Sequence, residues 1–166
     1  MIKVKSKYWS LLLMVLLLAC KENHEVTPAT YTLILTGEES KRWQQTSFTF
    51  IFNDDEVEDF DANLIYGIPT CAQDDIYTFF REGKQLQVSE GDSKCDPDGD
   101  DILFTTRWDL VNANATLFVG SEDFVLSKLT DDSLVYGFRD TLVAPVGNNT
   151  FWEFPGIAQW VYKPIN

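Results

Sequence analysis

The groups able to do chemistry in these 166 residues are three cysteines, one histidine and 26 acidic side chains. The histidine, His24, stands in a polar stretch near the N-terminus. Its position excludes Ser-His-Asp or Cys-His catalysis within the rest of the chain, and histidine-ligated zinc with it. Paired carboxylates can hydrolyse glycosides, but so many acids produce chance pairs on any solvated surface, and no motif singles one out. The chain reads as non-catalytic and without a cofactor. Asp96, Asp98 and Asp100 alternate through Cys95-Asp96-Pro97-Asp98-Gly99-Asp100-Asp101, as oxygen ligands around a calcium ion can. The glycine comes too early for an EF-hand loop, and Arg107 stands where the closing glutamate belongs. The stretch is also built from the residues that turns favour, which is the simpler reading.

The first cysteine has a different chemistry. Lys3, Lys5 and Lys7 precede the apolar run Leu11–Leu18, which is too short to span a bilayer, a task for about 20 residues. It has the length and flanks of a signal-peptide core. Leu17-Leu18-Ala19-Cys20 then gives the pattern of a lipobox: a thiol to carry diacylglycerol as a thioether, preceded by a small residue that fits a narrow protease pocket. Residues 1–19 are therefore expected to be a leader, Cys20 the lipidated first residue, and 20–30 a tether. Lys21 to Thr30 can lift a domain at most roughly 33 Å from the membrane. Two or more acyl chains make such anchoring stable. Lys21 stands where many Gram-negative lipoproteins retained at the inner membrane carry aspartate, so similarity to them places the chain at the outer membrane, on its periplasmic side or at the cell surface.

Removing the leader leaves 147 residues, enough for one domain over 31–166. It also leaves 10 basic against 26 acidic residues, a net charge of −16. Nucleic acid is excluded as a partner because its phosphates demand basic patches. Cys71 and Cys95 would lie in an oxidising compartment and are expected to pair. They sit symmetrically about Gly83 in the turn Arg81-Glu82-Gly83-Lys84. If the flanks form a hairpin, the two thiols meet at its open end. Pairing Arg81 with Lys84 places Tyr77, Phe79, Leu86 and Val88 on one face and Thr78 and Gln87 on the other.

The elements around these residues read as strands separated by turns, the all-β pattern. Trp43–Phe52 alternates, with Phe48, Phe50 and Phe52 on one face. Further candidates are 76–80, 86–89, 102–108, 116–119, 124–129, 134–138, 150–154 and 159–162. Between them lie turns rich in Asn, Asp and Gly. Asp54 to Pro69 reads as an acidic loop, with room for a helical turn, and no amphipathic helix of ordinary length is evident. The expectation is a single antiparallel up-and-down β-barrel of about eight strands, or a sandwich.

Leu35-Thr36-Gly37 followed by Ser40-Lys41-Arg42-Trp43 resembles the opening of lipocalin-like domains in bacterial outer-membrane lipoproteins. In those, a glycine precedes a tryptophan that leads into the first strand and plugs the barrel floor. Asp74-Asp75-Ile76-Tyr77-Thr78-Phe79 and Phe124–Leu129 before Asp131-Asp132-Ser133-Leu134-Val135 are similar to hairpins of the same domains. The resemblance covers Leu35 to Tyr136; the insertion at 54–69 and the tail from Val143 depart from it. It implies a barrel able to hold one small apolar molecule; on composition alone, Trp43, Trp108, Trp152, Trp160 and several Phe could line such a cavity or equally well simply fill the barrel. The alternative is an acidic interaction module that engages a cationic protein such as an attacking lysozyme. Cys20→Ser is expected to abolish incorporation of a labelled fatty acid; unchanged labelling would remove Cys20 as the acceptor.

Overall fold

A computed structural model describes residues 28–53, 58–111, 116–147 and 150–165. Cys20, His24, the leader and most of the tether lie outside the described residues. Helix α1 (Pro28–Thr36) is followed by β1 (Ser40–Phe52), β2 (Phe60–Asp61), helix α2 (Ala62–Tyr66), β3 (Ile76–Phe80), β4 (Gln85–Ser89), β5 (Ile102–Val111), β6 (Thr116–Val119), β7 (Glu122–Thr130), β8 (Ser133–Gly147) and β9 (Thr150–Ile165). The strands form one antiparallel sheet in the order β2-β1-β3-β4-β5-β6-β7-β8-β9, and β1 pairs with β9 to close it into a ring. Eight strands make the circuit. The short β2 pairs with Thr49 and Phe50 of β1 and continues the side that β3 occupies lower down.

The first hairpin follows directly from its turn. Gly83 at φ 68° and Lys84 at φ 47° take the left-handed conformations that a tight reversal needs. Tyr77 then faces Val88, Thr78 faces Gln87 and Phe79 faces Leu86, the register expected from the sequence. Phe79, Leu86 and Val88 are buried. Cys71 and Cys95 are joined, with Cα atoms 5.1 Å apart and a separation of 24 in sequence. The bond closes the hairpin's open end.

Two differences from the sequence expectation bear on the ends of the ring. Pro28, Ala29 and Thr30, read as tether, begin α1; proline's fixed φ suits a first helical turn. The helix stops at Gly37, whose φ of 64° lets its N–H bond back to Leu33 O at 2.7 Å. The next two carbonyls are answered from β1: Lys41 Nζ donates to Ile34 O at 3.1 Å and Trp43 Nε1 to Leu35 O at 2.9 Å. Lys41 also donates to Asp131 O in the β7–β8 turn. Leu35 and Trp43 are fully buried, so α1 closes one end of the ring.

At the opposite end, the segments 150–154 and 159–162 are one strand. β8 and β9 pair from Leu134 and Tyr162 as far as Gly147 and Thr150. β7 leaves β8 after Gly137, and β1 leaves β9 after Gly156. Residues 141–147 and 150–155 thus project as a two-stranded arm. Gly156 marks its root, where a Cβ would stand 2.3 Å from the Phe50 ring and 2.4 Å from Ile51 O. The span 54–69, read as a loop, contains β2 and α2. Asp61 caps α2 by accepting from Asn63 N at 3.0 Å, and Gly67 ends it at φ 65°.

Replacing both Cys71 and Cys95 by serine is expected to cost about 3–4 kcal/mol on the chain-entropy account of a loop this long. Urea unfolding would show it as a lower midpoint; an unchanged midpoint would mean that the bond constrains nothing.

Candidate binding surface

The alternation of β1, β8 and β9 places Phe48, Phe50, Tyr136, Phe138, Trp160 and Tyr162 on the inner face. They pack on one another. Phe48 stacks on Trp160 at 4.3 Å between centroids, and Tyr136 on Tyr162 at 5.3 Å, with their hydroxyls 3.0 Å apart. Trp43 and Trp108 are buried, and Trp108 Nε1 donates to Phe80 O at 3.1 Å. Burial raises the Tyr136 and Tyr162 hydroxyls far above the ordinary tyrosine range, so both remain neutral donors. Of the four tryptophans that could line a cavity or fill the ring, Trp43, Trp108 and Trp160 are therefore engaged in packing. Surface depressions occur elsewhere. One of about 910 Å³ lies among Glu38, Arg81 and Gln85, and one of about 290 Å³ among Lys84, Trp108 and Phe118. The deep aromatics Trp43, Phe79, Tyr136 and Tyr162 line neither.

The fourth tryptophan behaves differently. Leu142 faces Phe154 and Ala144 faces Trp152 across the arm, on the continuation of the inner face. Aromatic contacts run outward along that face, from Phe50 to Phe52 at 5.0 Å, to Phe154 at 6.0 Å, to Trp152 at 6.3 Å. Phe50 is fully buried and Trp152 is 60% exposed. Phe60, Leu64 and Ile65, on β2 and α2, are exposed at the same end. Tyr66 anchors α2 by donating to Asp140 Oδ2 at 2.6 Å on β8. This ledge of apolar side chains is the extended kind of patch that marks binding surfaces.

The acidic residues fall into two settings. Asp96, Asp98 and Asp100 are exposed in a turn: Asp96 accepts from Asp98 N through its carboxylate and from Gly99 N through its carbonyl. Lys94 donates to Gly99 O and pairs with Asp101, holding that carboxyl below the usual range. Among the described residues, no group of three histidine, cysteine or acidic side chains converges as a metal site would. Asp75, by contrast, is buried at the start of the first hairpin, a position the sequence did not single out. Gly91 N–H donates to it, and Glu90 and Asp74 are its charged neighbours. One oxygen each of Asp74 and Asp75 is buried without a partner among the described residues. Desolvation first, then repulsion from Glu90 and Asp74, pushes the Asp75 carboxyl up to about 6. Gly91 fits against Asp74 only because it lacks a side chain: a Cβ would stand 2.3 Å from Asp74 O.

Because the folded chain holds the Asp75 proton more tightly than the unfolded chain, its contribution to stability is fully present below about pH 4 and lost as pH rises through 6. Asp75→Asn keeps an acceptor for Gly91 and removes the charge. It is expected to raise stability at pH 7–8 by on the order of 1 kcal/mol and to flatten the pH dependence between 4 and 7. Thermal unfolding across that range is the check, and an unaltered profile would exclude Asp75 as its source.

No family model matches the chain, and no curated protein matches it significantly.

Proposed function

We propose that this is a lipid-anchored, non-catalytic binding protein of the bacterial cell envelope, held at the outer membrane through Cys20. Its closed sheet is read as a lipocalin-like β-barrel that takes a small apolar ligand at the end away from α1. The observation carrying the proposal is the aromatic ledge running from Phe50 through Phe52 and Phe154 to exposed Trp152. The packed inner aromatics favour binding at that rim over binding deep inside. The absence of histidine from residues 31–166 supports a non-catalytic role.

Lipidation would place the attachment point at Cys20, eight residues before Pro28 and so on the N-terminal side of α1. α1 closes one end of the ring and the ledge occupies the other, so anchoring leaves the ledge accessible from the envelope space. A second reading, an acidic module for a cationic protein, draws on the net charge of −16 after leader removal and on the exposed Asp96–Asp101 turn.

Titration of the mature protein with the uncharged probe N-phenyl-1-naphthylamine is expected to give saturable fluorescence. Trp152→Ala with Phe154→Ala should weaken it by about tenfold or more, since each lost ring removes on the order of 1 kcal/mol of apolar contact. Wild-type protein that fails to bind this or chemically different apolar probes would defeat the small-ligand reading.

A further inference from the structure

The β5 strand is paired unequally along its length. On one side β4 covers it from Ile102 to Arg107. On the other, β6 begins only at Trp108. The cause is local: β6 has four residues, and Gly120, at φ 63°, bonds its N–H to Arg107 O at 2.7 Å and turns the chain into β7. The edge from Ile102 to Thr106 therefore meets no strand among the described residues. Folded proteins ordinarily blunt such an edge with proline, lysine or a covering loop. Here the edge reads Ile102-Leu103-Phe104-Thr105-Thr106, rich in strand-forming residues, with Ile102 51%, Leu103 45% and Phe104 48% exposed. Phe104 faces the buried Val88 across the ladder, so it belongs to the inner face yet stands in solvent where β6 stops short.

The charge beside this edge is one-sided. Asp96, Asp98, Asp100 and Asp101 lead straight into Ile102. Lys94 pairs with Asp101, and the other three are exposed without an ion pair among the described residues. Arg107 lies beyond the far end of the edge. We infer that the Ile102–Thr106 edge of β5 docks an extended peptide segment of alternating basic and apolar residues, which adds to the sheet as a strand. The unpaired backbone supplies the hydrogen bonds and Phe104 the apolar contact on the inner face, while Ile102, which a bulge shifts to face Ser89, offers one on the other face; the Asp96–Asp101 turn selects for positive charge. A second copy fits less well. So short an edge falls far below the roughly 800 Å² per partner of a stable interface, and each copy carries the same large negative charge. This site is distinct from the aromatic ledge and stands whether or not the ledge takes a ligand.

The test uses the mature, disulfide-bonded chain and the synthetic peptide Lys-Val-Lys-Val-Lys-Val, blocked at both ends. Two controls accompany it: the same peptide with glutamate for lysine, and one with alternate backbone nitrogens methylated so that it cannot pair. Saturable binding of the lysine peptide is expected, weaker by about tenfold or more for each control. Amides within Ile102–Thr106 should gain hydrogen-exchange protection on binding. Phe104→Lys, and separately Asp98→Asn with Asp100→Asn, should weaken the lysine peptide, while Trp152→Ala should leave it unchanged. Equal binding of the three peptides, or binding without protection at Ile102–Thr106, would overturn the inference. So would protection already present in a peptide-free chain that sediments as a dimer, which would assign the edge to self-pairing.

Discussion

The pairing of β1 with β9 is the constraint on which the rest of this structure depends. It runs from Arg42 and Ile165 to Phe52 and Gly156 and joins the first strand of the sheet to the last. Without it the sheet would have two long open edges; with it, most backbone donors and acceptors are satisfied within the ring. Closure also fixes an inner face that has to be filled, because a void beside packed side chains forfeits their dispersion contacts. The high aromatic content, 14% of residues, answers that requirement. Rings of Phe48, Tyr136, Trp160 and Tyr162 occupy the inner face in direct contact, so the interior is aromatic because it is closed.

Closure leaves two ends, and they are treated in opposite ways. At one, α1 has its terminal carbonyls answered by Gly37, Lys41 and Trp43, which turns a short helix into a fixed lid. Lys41 lies 4.4 Å from the Trp43 ring centroid and reaches the β7–β8 turn as well, so one side chain ties the lid to both sides of the ring. At the other end, strands β8 and β9 outrun their neighbours, β6 stops early, and apolar side chains stand in solvent.

What could be read from the sequence was whatever local chemistry determines. The β3–β4 register followed from Gly83 and from alternation on both flanks, and the Cys71–Cys95 bond from their symmetric spacing about that turn. Helix α1 was not legible: Tyr31 to Leu35 is apolar nearly all round, and its caps come from Lys41 and Trp43 on another element. The continuity of β9 was hidden by Pro155-Gly156, a breaker in isolation. In the ring this dipeptide falls where β1 pairing ends, and the missing side chain makes room for Phe50. Four tryptophans looked equivalent as candidate lining residues. Only the lengths of β8 and β9 separate Trp152 from the others, and strand length depends on partners that a local pattern does not name.

The same reasoning separates structural polarity from polarity available to a partner. Asp75 is an acid held inside by the fold, crowded by Asp74 and Glu90, and it costs stability at neutral pH. Asp96, Asp98 and Asp100 are acids of the same type a short distance along the chain, yet they stand exposed in water. Between the two groups runs the turn stapled by Cys95 to Cys71, which holds the outer acids next to the uncovered start of β5. The disulfide's position thus matters for more than closing a loop. It also holds a negatively charged turn at the start of β5, whose edge from Ile102 to Thr106 meets no strand among the described residues, so the far end of the ring has a direction and a sign.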